Sequence, residues 1–330
     1  MNLNEKLKLS YQKIKKAKNI LIITHVRPDG DAIASMCTMI EFMETINKKY
    51  SAWTIDVLDD SFLYLPQIEK IQTKITNHTI DEFDLIITLD CGSFSRMGVP
   101  EETKELIKQK NIFIIDIDHH PQVDEFPEPN LRIKIPEAAA TTEILYTFFS
   151  ANEIRINKNL ATCILSGILT DTANFLYQIN SEKALVIASE MLKYGAQFNK
   201  IISNTLRNKD LETIKLQGKI FNNLQINKKY DLAFSVLTED DLKKIGKENL
   251  TEGMVNFLGN LADVKAVMFL REESIANTGK TQIKGSLRSS HPIIDVSKIA
   301  NFFGGGGHPK ASGFLIPGKL IKKNNKWQII

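Results

Sequence analysis

With three cysteines in 330 residues, the chain has no material for a disulfide framework. Cys37, Cys91 and Cys163 stand far apart among apolar or small neighbours, so no CxxC metal pair is available either. Each is expected to be a packed, reduced thiol. Proline (10) and glycine (17) are too sparse for a collagen-like or low-complexity protein, and a composition 43% hydrophobic and 25% charged excludes intrinsic disorder. No window approaches the roughly 18 consecutive apolar residues of a membrane span. Lysines punctuate MNLNEKLKLSYQKIKKAKNI where a secretory leader would place its apolar stretch, so a cytoplasmic chain with no membrane partner is expected. Aromatic residues amount to 8% and form no stacking motif, which argues against a general single-strand binder. The glycines from Gly304 to Gly307 run into His308 without a Gly-Lys-Ser/Thr ending, so the chain has no P-loop.

At about 100–200 residues per domain, the length predicts about two domains. The net charge of +3 hides an asymmetry: residues 1–211 carry 24 Lys and Arg against 28 Asp and Glu, and residues 212–330 carry 18 against 11. An acidic part able to concentrate cations thus precedes a basic part able to hold an anion. The apolar spacing of Leu7, Leu9, Tyr11 and Ile14 predicts a helix over 3–18. Apolar runs at Ile20 to Ile23, Leu85 to Leu89 and Ile112 to Ile115 read as buried strands, with helices near Gly30 and over 101–110 between them. This alternation predicts an α/β fold whose parallel sheet is covered on both faces and whose ligands gather at the carboxyl ends of the strands. Thr141-Thr142-Glu143 is expected to cap a helix, and a further helix over 160–169 ends close to Asp171. Successive helices from Ser181 to Phe221 lead to strands at 232–237, 264–270, 281–287 and 311–315, with a polar loop over 272–279. The expected domains are therefore 1–195, a helical connection over 196–222, and a smaller α+β domain over 223–330.

Potential metal ligands collect at the ends of the apolar strands. His25, Asp29 and Asp31 follow the first, Asp90 the second, and Asp118-His119-His120 the third, while Asp171 closes a later apolar segment. Taken singly, Asp29 or Asp90 reads as a cap or turn residue. Together, at one edge of one sheet, so many carboxylates would repel one another unless cations held them. Carboxylate and imidazole without thiolate suit Mn²⁺ or a similar first-row ion better than structural zinc.

The order His25-x-x-x-Asp29-Gly30-Asp31, Leu89-Asp90-Cys91-Gly92, Asp118-His119-His120-Pro121 and Gly167-Ile168-Leu169-Thr170-Asp171-Thr172 resembles the DHH phosphoesterases. Gly285-Ser286-Leu287-Arg288-Ser289 with Phe303-Gly304-Gly305-Gly306-Gly307-His308 resembles their DHH-associated domain, and the two sets cover almost the whole chain. In size and arrangement the chain is similar to a compact bacterial subgroup acting on oligoribonucleotides and on 3',5'-bisphosphonucleotide (pAp). One residue departs from that subgroup: Ala173 stands where glycine is expected, and its methyl is expected to leave Asp171 in place while narrowing the adjacent cleft.

The resemblance implies that His25 and Asp29 bind one Mn²⁺ and that Asp31, His119 and Asp171 bind a second, with Asp90 bridging; Mg²⁺ or Co²⁺ would be substitutes. It further implies that His120 faces the scissile phosphate or leaving oxygen and that Asp118 orients its neighbours. Two divalent ions roughly 3.5–4 Å apart acidify a shared water and neutralise phosphate charge, so no protein nucleophile is required. Four successive glycines by themselves read as a flexible turn, but the resemblance implies phosphate gripping by Arg288, Ser289, Gly304, Gly305, Gly306, Gly307 and His308; Arg271 reads equally as a further contact or as a solvated arginine. His78 and His291 receive no role. Expected substrates are short single-stranded RNA or DNA, pAp or dinucleotides, and the resemblance leaves room for a homodimer. A small basic domain closing over the metal domain would suit a few nucleotides. Two other readings stand beside this one: a phosphodiesterase for cyclic di-AMP or its linear product, and a non-catalytic nucleotide- or RNA-binding module. Against the module stands the filling of every expected metal position. A RecJ-type exonuclease would need an additional domain, and family II pyrophosphatases carry a different C-terminal domain.

Overall fold

The computed structural model describes residues 1–73, 80–110, 112–121, 129–176, 182–208, 210–245, 254–259, 261–275, 280–324 and 326–330. His78 and Ser181 lie outside the described residues, as do residues 276–279 of the expected polar loop. Contacts divide the chain into residues 1–208 and 209–330.

The first unit runs α1 (Leu3–Lys16), β1 (Ile20–Ile23), α2 (Gly30–Thr45), β2 (Tyr50–Trp53), β3 (Ile71–Gln72), β4 (Leu85–Leu89), α3 (Glu101–Gln109), β5 (Phe113–Asp118), β6 (Leu131–Lys134), α4 (Thr141–Ala151), α5 (Lys158–Asp171), α6 (Lys183–Lys193) and α7 (Phe198–Thr205). The six strands form one sheet in the order β3-β2-β1-β4-β5-β6, and every pairing is parallel. Alternate residues of β1 serve opposite cores. Ile20 and Ile22 pack with α2, α4 and α5, whereas Leu21 and Ile23 pack with Trp53, Phe83 and Ile107 of α3. A strand buried on both faces must be apolar throughout, which is why its sequence shows no alternation. The winding reverses between β1 and β4, the topological switch point at which such sheets bind ligands.

Three strands of this unit have no counterpart in the expected elements. β3 is two residues long, β2 is only half buried, and the edge strand β6 alternates buried with partly buried residues. None supplies an apolar run. β6 also corrects the end of β5, which was expected near Ile115. It pairs Asp116 with Arg132 and Asp118 with Lys134, so the strand continues through Asp118. At α1 the helix stops at Lys16 rather than Lys18 because the Asp84 carboxylate accepts the backbone N–H groups of Lys18 and Asn19.

The second unit comprises α8 (Leu211–Asn222), β7 (Gln225–Asn227), β8 (Leu232–Leu237), α9 (Glu239–Ile245), α10 (Met254–Leu258), β9 (Ala266–Ile275), β10 (Lys280–Arg288), α11 (Ser297–Phe302), β11 (Gly306–His308), β12 (Ala311–Pro317), β13 (Leu320–Lys323) and β14 (Lys326–Ile329). Its main sheet has the order β11-β12-β10-β9-β8-β7 and is antiparallel except for β8 with β9; β13 and β14 form a separate hairpin. One core joins α8 to Ala233, Val267 and Phe269, and the other joins Val296 and Ala300 to Ile283, Leu287 and Phe314. The expected polar loop from Glu272 is instead strand as far as Ile275. Glu272 is buried there, its carboxylate accepting the N–H groups of Glu239 and Leu320.

Gly285 crosses the ring of Phe314 so closely that an added Cβ would lie 2.1 Å from its Cζ. Gly285→Ala must displace that ring within a packed core, and the expected loss of stability is about 1–3 kcal/mol. Chemical denaturation of the variant against the parent protein measures it; an unchanged midpoint would contradict this packing.

Candidate metal centre

Six side chains from four segments meet at the switch point. His25 follows β1, Asp29 caps α2 by accepting the N–H of Ala32, Asp31 lies in the first turn of α2, Asp90 follows β4, His119 follows β5, and Asp171 ends α5. Their donor atoms form two groups within 4.8 Å, one of His25, Asp29 and Asp90 and one of Asp31, His119 and Asp171, and a third set joins Asp90, His119 and His120. Asp90 stands between the two groups. Its Oδ2 lies 4.0 Å from His25 Nε2 and its Oδ1 lies 3.5 Å from His119 Nε2. His119 Nε2 is also 3.4 Å from Asp171 Oδ2.

Local structure aims these groups. Asp90 adopts φ +58° and Gly92 φ +70°, so the chain turns sharply just beyond the strand and leaves the Asp90 carboxylate 1% exposed. The left-handed region is one that Asp tolerates better than most residues. Gly30 and Gly167 let the helices approach. A Cβ on Gly30 would lie 2.5 Å from Thr170, and one on Gly167 would lie 2.3 Å from Thr142 Oγ1 and 2.4 Å from Asp31 Oδ1. The expected cap at Thr141 and Thr142 is corrected accordingly. Ala140 is the N-cap of α4, and both threonines donate to site carboxylates. Asp31 accepts Thr141 N at 2.6 Å, Thr142 N at 3.2 Å and Thr142 Oγ1 at 2.8 Å, while Thr141 Oγ1 donates to Asp90 at 2.8 Å. A helix N-terminus favours negative charge, so Asp31 meets the positive end of α4.

The electrostatics identify what the cluster lacks. Burial, then the charges of Asp90, Asp171 and Asp29, raise the Asp31 carboxyl well above the carboxylate range. Burial pushes Asp171 up to about 7; His119 opposes the shift, and Asp29 and Asp90 add to it. His25 has its Nδ1 at 2.8 Å from Val26 O, but its Nε2 is buried without a hydrogen-bond partner among the described residues. An orphaned imidazole nitrogen facing two carboxylates is a metal-ligand arrangement, and the residues fit a divalent cation. Asp118 is fully buried. Burial opposes its charge, but hydrogen bonds from His120 and the charges of His120 and Lys134 outweigh it and hold the carboxyl below its usual range. In the same way burial opposes protonation of His120, but Asp118 and Asp90 raise it to about 10.

Among the C-terminal candidates, Arg271, Arg288, Gly306, Gly307 and His308 lie in one sheet, while Ser289, Gly304 and Gly305 lie just outside its strands. Arg288 pairs with Ala311, and Ala311 with His308, so the three stand in one row across β10, β12 and β11. Arg271 lies four residues along β9 from Val267, the partner of Arg288, which places it on the same face, and it pairs with Glu273. Ser289 is buried, its hydroxyl donating to Lys265 O at 2.7 Å. Gly304 and Gly305 donate their N–H groups to Asn301 O and Ala300 O at the end of α11, while Gly306 to His308 form an exposed edge strand.

Thr141, Thr142 and Lys134 carry no metal-ligand signature in the sequence, where only the Thr-Thr pair, a cap signal, points near the site. Ala173, with φ +47°, begins three successive left-handed residues through Asn174 and Phe175. Glycine would adopt that backbone without the roughly 1–2 kcal/mol that an L side chain costs there.

Residues 19–168 match the DHH family, N-terminal domain, and residues 233–327 match the DHHA1 domain. The chain is similar to the bifunctional oligoribonuclease and PAP phosphatase NrnA of Bacillus subtilis, with 28% identity over 90% of this chain and 89% of that protein. A similar relationship holds to NrnA of Thermus thermophilus, at 28% identity over 95% of this chain and 89% of that one. Among solved structures, an exopolyphosphatase-related protein from Bacteroides fragilis superposes with a TM-score of 0.82 at 27% identity, covering 94% of this chain and 90% of that one.

The raised carboxyls predict a pH response of the metal-free protein. A carboxyl raised in the folded state binds more protons there than in the unfolded chain. Its contribution is therefore full below pH 4 and is lost as pH rises toward 7, where Asp171 titrates. Thermal unfolding after chelation should show stability falling across that window, and saturating Mn²⁺ should raise the melting temperature most at the alkaline end. At a free-metal concentration of about 100 Kd the gain is about 2.7 kcal/mol. A melting temperature indifferent to divalent cations at pH 8 would exclude the metal centre.

Proposed function

The chain belongs to the DHH family and is a phosphoesterase, and from that premise we propose that it is a cytoplasmic, Mn²⁺-dependent phosphohydrolase that degrades short oligonucleotides to mononucleotides and dephosphorylates pAp. The observation that carries this reading is Asp90, whose two oxygens face different histidines, His25 on one side and His119 on the other. His25, Asp29 and Asp90 would hold one ion, and Asp31, His119, Asp171 and Asp90 the other. Divalent ions held there supply Lewis acidity to a water and offset the phosphate charge. The donor set of carboxylates and imidazoles without thiolate favours Mn²⁺, with Mg²⁺ or Co²⁺ as substitutes.

The chain's own groups do the rest. His120, with its Nδ1 held by Asp118 at 2.9 Å, leaves its other nitrogen for the scissile phosphate or leaving oxygen. Arg288 and His308, aligned in one row of the C-terminal sheet, are the phosphate grip, with Gly306 and Gly307 keeping the edge strand free of side chains. Fork-like donors from arginine suit a terminal phosphate and bind it without entering the metal shell. The relatives from Bacillus subtilis and Thermus thermophilus, named for oligoribonuclease and PAP phosphatase activities, support the substrate class.

The test is a panel of pAp, RNAs of increasing length and cyclic di-AMP, assayed at equal concentration with Mn²⁺. Turnover should be fastest on roughly two to five nucleotides, where each added nucleotide still gains contacts, and product should appear as mononucleotides. Asp90→Ala should abolish turnover. Arg288→Ala should raise KM by about ten- to a hundredfold with Mn²⁺ affinity retained, since it removes charge-assisted hydrogen bonds alone. Equal or rising turnover on long strands would reject the short-oligonucleotide reading. Cleavage confined to cyclic di-AMP would move the function to cyclic dinucleotides.

A further inference from the structure

A buried lysine that belongs to no metal group ties the candidate site together. Lys134 is the last residue of β6 and pairs in register with Asp118, the last residue of β5. Its side chain is only 7% exposed, and its Nζ lies 3.1 Å from Asp118 Oδ2. The same ammonium donates to Gly92 O at 2.9 Å and Pro121 O at 3.5 Å. Asp118 uses its remaining capacity in the same region. Gly92 N donates to Oδ2 at 2.8 Å, and His120 donates to Oδ1 from both its backbone N and its Nδ1, each at 2.9 Å. One cation therefore links the turn that carries Asp90 to the segment that carries His119 and His120.

Stability alone does not require a charge there. Removing an ammonium from water costs several kcal/mol, and a core in which both members of such a buried pair were hydrophobic would often be as stable, whereas removing the lysine alone strands the Asp118 carboxylate. Three diverging donors are what this position needs, and lysine supplies them where arginine's flat fork would not. We propose that Lys134 is a positioning residue for phosphoryl hydrolysis: through Asp118 it fixes the His120 ring with Nδ1 turned inward, and through Gly92 and Pro121 it sets the spacing between Asp90 and the two histidines. The proposal rests on the phosphohydrolase reading for its kinetic consequence but not for its structural one.

Both consequences are measurable in the full-length protein. In protein labelled with ¹⁵N-histidine and stripped of metal, the hydrogen-bonded Nδ1 proton of His120, assigned by its loss in His120→Gln, should be present in the parent. It should be lost or strongly shifted in Lys134→Met. With Mn²⁺ and pAp, Lys134→Met should lower kcat by about ten- to a hundredfold, the range found when groups supporting a metal site are removed. KM and Mn²⁺ affinity should stay close to the parent values. A cavity lined by Thr88, Cys91, Asp116, Arg132 and Lys134 opens beside the ammonium, so methylamine should restore turnover to Lys134→Ala in a saturable way. Lys134→Gln, which keeps donors, serves if the methionine variant does not fold. An unchanged His120 signal, or a full kcat in a folded Lys134→Met protein, would overturn the proposal. A parent protein with the expected His120 signal but no activity on any phosphoester would overturn the functional reading and leave the positioning role standing.

Discussion

Asp31 accepts three hydrogen bonds from the first two residues of α4, and the arrangement of the centre depends on them. These bonds span more than a hundred residues of sequence and fasten the first crossover helix of the sheet to a helix that follows its last strand. They are possible because α5 lies against both elements at two glycines. At Gly167 a single methyl would occupy the space of Thr142 Oγ1 and Asp31 Oδ1, and at Gly30 that of Thr170. Close packing therefore decides where Asp31 points, and Asp31 in turn helps to decide where α4 begins.

The same packing creates an electrostatic debt within unit 1. Asp29, Asp31, Asp90 and Asp171 converge on a small volume, and two of them are driven toward their protonated forms by burial and by one another. Protein donors answer part of this. Thr141, Thr142 and the amino end of α4 serve Asp31 and Asp90, while Lys134 and His120 serve Asp118. The part left unanswered lies among the converging carboxylates, where His25, grouped with Asp29 and Asp90, presents a buried nitrogen without a hydrogen-bond partner among the described residues. A site with excess negative charge and an orphaned imidazole is prepared for cations, since a divalent ion removes both defects together.

In unit 2 the ordering principle is register. Because opposed residues of neighbouring strands share a face, Arg288, Ala311 and His308 stand together although they come from three strands. Ala311 between the two polar residues and glycine at 306, 307 and 313 keep that part of the sheet low and open. The glycine run itself has two duties. Its first two residues close α11, and its last two begin the edge strand that carries His308.

The residue order determined much of this by itself. Strands buried on both faces must be apolar, so β1, β4, β8 and the first part of β5 were legible as runs, and ligand types placed at strand ends marked a candidate site. The short and edge strands β2, β3 and β6 were not legible, because half-buried or two-residue strands carry no such run and owe their form to a neighbour's hydrogen bonds. The site divides in the same way. Carboxylate and imidazole announce themselves by chemistry at a recognisable spacing, whereas Thr141, Thr142 and Lys134 act only through where the fold puts them. Sequence could supply the candidate ligands. That Asp90 turns one oxygen to each side, that Gly167 exists to admit Asp31, and that a lysine on an edge strand joins two loops were decided by tertiary structure, because each depends on distances between segments that the sequence leaves far apart.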